Sequence, residues 1–183
     1  MLFNPPSHHT RREKRIAFVH PDLGIGGAEQ LLVNLCLGAI GEGYEAHIFT
    51  PYHHNSFPET HDGTIKVHEH GRFYSLIPAT IFGYCKGILA YIRTLLCAIW
   101  LICYDGAYQA VVCDQVSFVL PFLRLAGHNT IFYCHFPDKL LSGSRKNPLK
   151  KIYRFFIDLA EEFSLLFAKK IYVNSEYTKQ IFY

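Results

Sequence analysis

Charge is scarce in this chain. Only 18% of its 183 residues are charged, while half are hydrophobic. That balance excludes a disordered polymer and leaves apolar surface for a partner. The formal net charge of +3 is too small to argue for nucleic acid. No two of the six cysteines form a CxxC pair. Cys36, Cys85, Cys97, Cys103, Cys113 and Cys134 each lie in an apolar run, as free thiols packed like small hydrophobes in a reducing compartment would. Eleven histidines are present, and His68 and His70 would share one face of a strand. No carboxylate or thiol framework at ligand spacing accompanies them or His53, His54 and His61, so a solvated loop and strand edge is expected rather than a metal site. The stretch from Asn4 to Arg15 is polar and basic without an apolar core, so no cleavable signal peptide is expected. Residues 1–14 read as a polar tail and 15–183 as one domain.

An uninterrupted membrane span is also missing. Ile81–Tyr104 is apolar, but Lys86 and Arg93 fall on one helical stripe within it. A spanning helix needs about 20 apolar residues, and an arginine at mid-bilayer costs about 2.5–3.5 kcal/mol. A helix packed on a sheet or lying on a membrane is therefore expected in place of a span.

What is present alternates between two periods. Arg15–His20, Ala46–Thr50, Ile65–His70, Gln109–Asp114, Thr130–His135 and Ile171–Asn174 read as strands. Helices are expected from Ala28 to the glycines at 41 and 43, over Ser117–Ala126, and from Pro148 to about Lys169. In the first helix Ala28, Leu31, Leu32, Leu35 and Ala39 form an apolar stripe. In the last, Leu149, Ile152, Tyr153, Phe156, Ala160, Phe163 and Phe167 lie to one side. Strands alternating with helices predict an α/β fold, a Rossmann-like doubly wound parallel sheet.

The first strand runs into HPDLGIGGAEQ, where Gly24, Gly26 and Gly27 precede a helix N-terminus. Glycines there admit an anion to the unpaired N–H groups and the positive end of the helix dipole. A dinucleotide fingerprint would need a third glycine where Glu29 stands, and an acid ending the second strand where Thr50–Pro51–Tyr52 stands. Both tests exclude a nicotinamide oxidoreductase. Glu29 suits a dipole partner or a fixed part of the loop. Asp114, ending the fourth strand, leaves two readings open, a cap or a group that grips acceptor hydroxyls, and Asp138 is placed similarly. His135 closes the fifth strand, on the side where ligands of parallel sheets bind.

HPDLGIGGAE, VVCDQVS (Val111–Ser117), FYCHFPD (Phe132–Asp138) and VNSEYT (Val173–Thr178) follow one another in that order. Together they resemble the dolichol-pathway α-1,3/1,6-mannosyltransferases, within the large retaining glycosyltransferase family marked by a GGAE-type loop. The resemblance covers nearly all of the chain from Arg15. It implies the N-terminal, acceptor-side lobe of a GT-B enzyme that transfers α-mannose from GDP-mannose to a mannosylated chitobiosyl-diphosphodolichol, without a metal or other cofactor. It implies that Gly24, Gly26 and Gly27 approach the donor diphosphate and that His135 faces the donor sugar. It places the protein at the cytosolic face of the endoplasmic reticulum membrane. The family's donor lobe, with its paired glutamates, would follow Tyr183, so the chain reads as a fragment with no activity of its own.

Arg145, Lys146, Lys150, Lys151 and Arg154 crowd the start of the last long helix, ahead of Asp158, Glu161 and Glu162. Helix dipoles favour the opposite order. Lys146, Lys150, Lys151 and Arg154 are therefore candidates for a lipid-phosphate or membrane contact, against the alternative of a solvated face. Two other functions remain open: a related retaining glycosyltransferase with another donor or lipid acceptor, and a non-catalytic lipid-phosphate-binding lobe.

Overall fold

The computed structural model describes residues 14–54, 56–69, 77–78, 86–104, 107–135 and 148–182. Six strands form one sheet: β1 (Arg15–Val19), β2 (Glu45–Thr50), β3 (Lys66–Glu69), β4 (Ala110–Asp114), β5 (Thr130–Cys134) and β6 (Lys170–Val173). Their order is β3-β2-β1-β4-β5-β6, and every pairing is parallel. This is the expected Rossmann-like sheet, and its order reverses between β1 and β4. The helices are α1 (Gly27–Gly41), α2 (Lys86–Cys103), α3 (Leu120–Leu125), α4 (Pro148–Leu165) and α5 (Glu176–Phe182).

Alternation along the strands builds two cores. Phe18, Ala46 and Ile48 face α1 and pack with Leu32, Val33 and Cys36. Ala17, Val19, Phe49, Val111, Cys113, Phe132 and Cys134 face the other way, toward Cys97, Ala98 and Leu101 of α2 and Leu120 and Leu123 around α3. Parallel strands covered on both faces read as continuous apolar runs, and RIAFV and AVVCD do so. Ile81–Tyr104 supplies α2. Arg93 is buried there, with its guanidinium donating to the Pro78 carbonyl at 3.1 Å and lying over the Tyr52 ring. Among the described residues no helix is long and apolar enough to cross a membrane.

Two helical faces differ from their predicted stripes. In α1 the buried residues are Leu32, Val33 and Cys36, while Leu35 is 37% exposed. The run LLVNLCLGAI is apolar nearly all round, so its periodicity selects no face. In α4, Phe156 and Phe163 are exposed, at 63% and 58%, whereas Ile157, Asp158 and Ser164 are buried. Hydrogen bonds choose that face. Ser164 donates to the Ser117 hydroxyl at 2.8 Å, and Ser117 donates to the Glu161 carbonyl at 3.3 Å. Burial, with the neighbouring Glu162 adding to it, pushes the Glu161 carboxyl up to about 7, and it accepts a hydrogen bond from Tyr91.

Smaller differences occur at element ends. Ser117–Val119 is a 3₁₀ turn, and α3 begins only at Leu120, with Pro121 in its first turn where a missing N–H costs nothing. β5 stops at Cys134, so His135 stands just beyond the sheet edge. Cys36, Cys113 and Cys134 are buried free thiols as expected, Cys97 is buried too, but Cys103 is exposed; Cys85 lies outside the described residues. His68 is not on a solvated edge. It stacks on His47 and Phe49 beside Trp100 and Tyr104, and burial draws it down to about 4. His70 lies outside the described residues.

The choice of face on α1 is measurable. Leu32→Ala should cost about 2–5 kcal/mol in urea unfolding, as buried leucine truncations do. Leu35→Ala should stay within about 0.5 kcal/mol of the parent. Equal losses would restore the predicted stripe.

Candidate functional site

Ligands of open parallel sheets bind beyond the carboxyl ends of the strands, where the order reverses. Here that point lies between β1 and β4. His20 follows β1 directly, Asp114 ends β4, and both are buried, at 0% and 4% exposure. The His20 Nδ1–H donates to both carboxylate oxygens of Asp114, at 2.7 and 2.8 Å. His135 approaches from β5, and its Nε2–H donates to Asp114 Oδ2 at 3.3 Å. Its side chain is 22% exposed, so one edge of the ring remains open.

The glycine loop joins the same cluster from the other side. Leu23 is wholly buried and anchors the loop through backbone bonds, Leu23 N–H to the Tyr52 carbonyl and His54 N–H to the Leu23 carbonyl. Gly26 is the N-cap of α1 in extended conformation. Glu29, in the first turn, folds back so that a Cβ on Gly26 would strike its Oε2. Its Oε1 stands 3.7 Å from His20 Nε2, ion-pair distance and too long for a hydrogen bond. That Nε2 has no hydrogen-bond partner. Gly24, Gly26 and Gly27 all lie outside the left-handed region. A Cβ on Gly27 would meet nothing within 4 Å, so packing does not require glycine there.

The electrostatics follow from burial against charge. Burial disfavours a charged His20, but the Asp114 carboxylate overcomes it, with a smaller contribution from Glu29, and holds the imidazole up to about 10. Burial likewise acts to raise Asp114, and the two histidines overcome it and hold the carboxyl below its usual range. Glu29 is lowered by His20 against its partial burial. Beyond Asp114 the chain turns sharply. Gln115 has φ 60°, and the Val116 N–H reaches the Asp114 carbonyl at 2.6 Å. A non-glycine residue there costs about 1–3 kcal/mol, and such strain clusters at functional sites.

The structure thus brings together His135, Asp114 and the neighbourhood of Gly24, Gly26 and Gly27. Asp114 does not lie open to a ligand; its carboxylate is occupied by two histidines. Asp138 and Lys146 lie outside the described residues. Lys150, Lys151 and Arg154 fall in the first turns of α4, with side chains likewise outside the description. His20 was missed by the sequence reading, although its place at the end of the first strand is the signal that picked out His135. Among the described residues no three or more His, Cys, Asp or Glu side chains are arranged to hold a metal ion.

The pair sets a pH dependence. His20 is raised above its unfolded value, so its stabilising contribution is whole below about 6.5 and is lost as pH rises through about 10. The buried thiols Cys36, Cys113 and Cys134, raised by burial, lose stability in the upper part of that range too. The difference between parent and His20→Asn is therefore the readout. The urea midpoint of the parent should fall more steeply from pH 6.5 to 10 than that of the variant. Parallel curves would mean that His20 is neutral when folded.

The sequence model of Glycosyltransferase Family 4 matches residues 25–182. An α-1,3/1,6-mannosyltransferase, ALG2, of Dictyostelium discoideum is 42% identical across 93% of this chain and 41% of its own length. The enzyme of that name from Saccharomyces cerevisiae is 43% identical across 94% of this chain and 35% of itself. The Schizosaccharomyces pombe protein is 41% identical across 92% and 33%. The chain spans between a third and about two fifths of the length of these curated relatives. A match over nearly all of the domain, on a sheet of the expected topology, places the chain in glycosyltransferase family 4.

Proposed function

We propose that this chain is the acceptor-side lobe of a retaining mannosyltransferase, which moves α-mannose from GDP-mannose onto a lipid-linked oligosaccharide carried by a diphosphodolichol. The observation that carries the reading is the convergence of His135, Asp114 and the glycine loop at the reversal of strand order. Identity of about 40% to enzymes of that activity over more than nine tenths of the chain supports it. On this reading the donor diphosphate approaches Gly24, Gly26 and Gly27. The bare space beside Gly27 suits that approach, and the positive end of α1 favours the charge.

His135 then faces the donor sugar. Asp114 takes the proton-bearing Nε2 of His135, which leaves Nδ1 as the ring atom that can accept from a sugar hydroxyl. Asp114 thereby acts through His135, as a carboxylate behind an imidazole commonly does. Asp138, in the same FYCHFPD segment, remains a proposed acceptor contact. No step here calls on a metal; the leaving diphosphate can take the acceptor proton. In the two-lobe protein His135→Ala should lower mannosyl transfer about 100-fold or more, the scale of a lost acid–base or orienting group, while the protein stays folded with a loss of about 1–3 kcal/mol from the hydrogen bond to Asp114. Gly27→Val should also lower transfer, at unchanged stability, since only a ligand would meet the new side chain. Transfer within a few-fold of the parent in both variants would remove these roles.

A membrane surface fits the outer side of α4. Phe155, Phe156, Leu159, Phe163 and Leu166 are all more than half exposed. Beside them, between α2 and α4, a cavity of about 330 Å³ is lined by Ile88, Ile92, Leu95, Phe118, Phe156 and Ala160. Lys150, Lys151 and Arg154 begin the same helix, with Lys146 just ahead of it. A lipid phosphate at the basic end and hydrocarbon along the apolar side would suit a dolichol-linked acceptor at the cytosolic face of the endoplasmic reticulum. Each basic residue near an anionic surface contributes about 1 kcal/mol. The chain should therefore float with phosphatidylserine vesicles, and changing Lys146, Lys150 and Arg154 together to glutamate should abolish the salt-sensitive part. Unaltered flotation in that variant would reduce the basic residues to a solvated surface.

A further inference from the structure

We propose that His20 is a positioning residue: a buried cation that bridges Asp114 to Glu29 and so ties the setting of His135 to that of the Gly24–Gly27 loop. The geometry is continuous. His135 meets Asp114 Oδ2 at 3.3 Å, His20 Nδ1 meets the same carboxylate at 2.7 and 2.8 Å, and His20 Nε2 lies 3.7 Å from Glu29. Glu29 in turn lies against Gly26, where an added Cβ would strike its carboxylate. Four chain segments meet in this line: the ends of β1, β4 and β5 and the first turn of α1. Asp114, Glu29 and His135 are the charged or titratable groups that face His20 from them.

The charge count explains why a cation belongs at position 20. Asp114 and Glu29 place two negative charges behind a loop whose glycines and helix dipole suit an anion. Left alone, they would repel that anion and each other. His20 stands between them with no access to water, at 0% exposure, so its charge is screened little and acts on both. One carboxylate on Nδ1 can hold a neutral histidine as well; a second carboxylate beside Nε2 is what favours the cation. Here Nε2 has no hydrogen bond and points toward Glu29. The consequence for ligand binding rests on the diphosphate reading of the loop; the bridge itself does not.

The test uses the isotope-labelled 183-residue chain in solution NMR. Ring-nitrogen spectra should show His20 protonated on both nitrogens, releasing one proton with a midpoint of about 10. The Gly26 and Gly27 amide signals should follow the same midpoint. In Glu29→Gln they should cease to follow it. In Asp114→Asn the His20 midpoint should fall by about two units or more, a hundredfold loss of proton affinity, and the loop signals should fall with it. Should Asp114→Asn fail to fold, the parent and Glu29→Gln still decide. Glycine amides that ignore His20 in the parent, or follow it unchanged in Glu29→Gln, overturn the bridge. Inorganic pyrophosphate is the separate probe of the consequence. It should perturb the Gly24, Gly26 and Gly27 amides of the parent and bind about tenfold more weakly to His20→Asn, one nearby charge having gone. No perturbation of the parent would retire the diphosphate reading and leave the bridge to the ring titration.

Discussion

The bond between His20 and Asp114 crosses the point where the sheet changes direction, and the rest of the site is arranged on it. β1 and β4 are neighbours in space although ninety-four residues separate the two side chains. Each strand ends by burying a charge that would be costly alone. Neither residue can be neutralised or moved without stranding the other. This mutual dependence fixes how far the two strand ends stand apart. It also fixes the position of everything that hangs from them, the glycine loop after β1 and the turn at Gln115 after β4.

Two kinds of packing hold that frame. On one face α1 seats Leu32, Val33 and Cys36 against β1 and β2; on the other α2 and α3 cover the strands more completely. The aromatic cluster of Phe49, His68, Trp100 and Tyr104 extends the second core toward the β3 edge. The sheet thus becomes a rigid base for side chains that project beyond its carboxyl ends.

Much of the architecture is legible in the sequence because strand periodicity and glycine punctuation are local properties. All six strands and the helix that begins within GIGGAE can be read from them. The faces of α1 and α4 cannot. The first helix is apolar on nearly every side, and in the last the decision belongs to Ser117 and Ser164, forty-seven residues apart. The site divides similarly. His135 and Asp114 announce themselves as polar residues at the ends of apolar strands. His20 shares that signature but is hidden by the glycines after it, and its role depends on a partner on another strand. Pairing across a crossover leaves no trace in local pattern.

The turn at Gln115 bears on how such a domain could be engineered. Its left-handed backbone is one that glycine adopts freely, so a glycine there would release most of the local strain. It would also free the peptide that follows Asp114 and lengthen the list of directions its carboxylate can take. Thermal robustness and orientation of the histidines are opposed at this one residue. A search for hardier variants that scores melting temperature alone would be drawn toward the substitution that blurs the site.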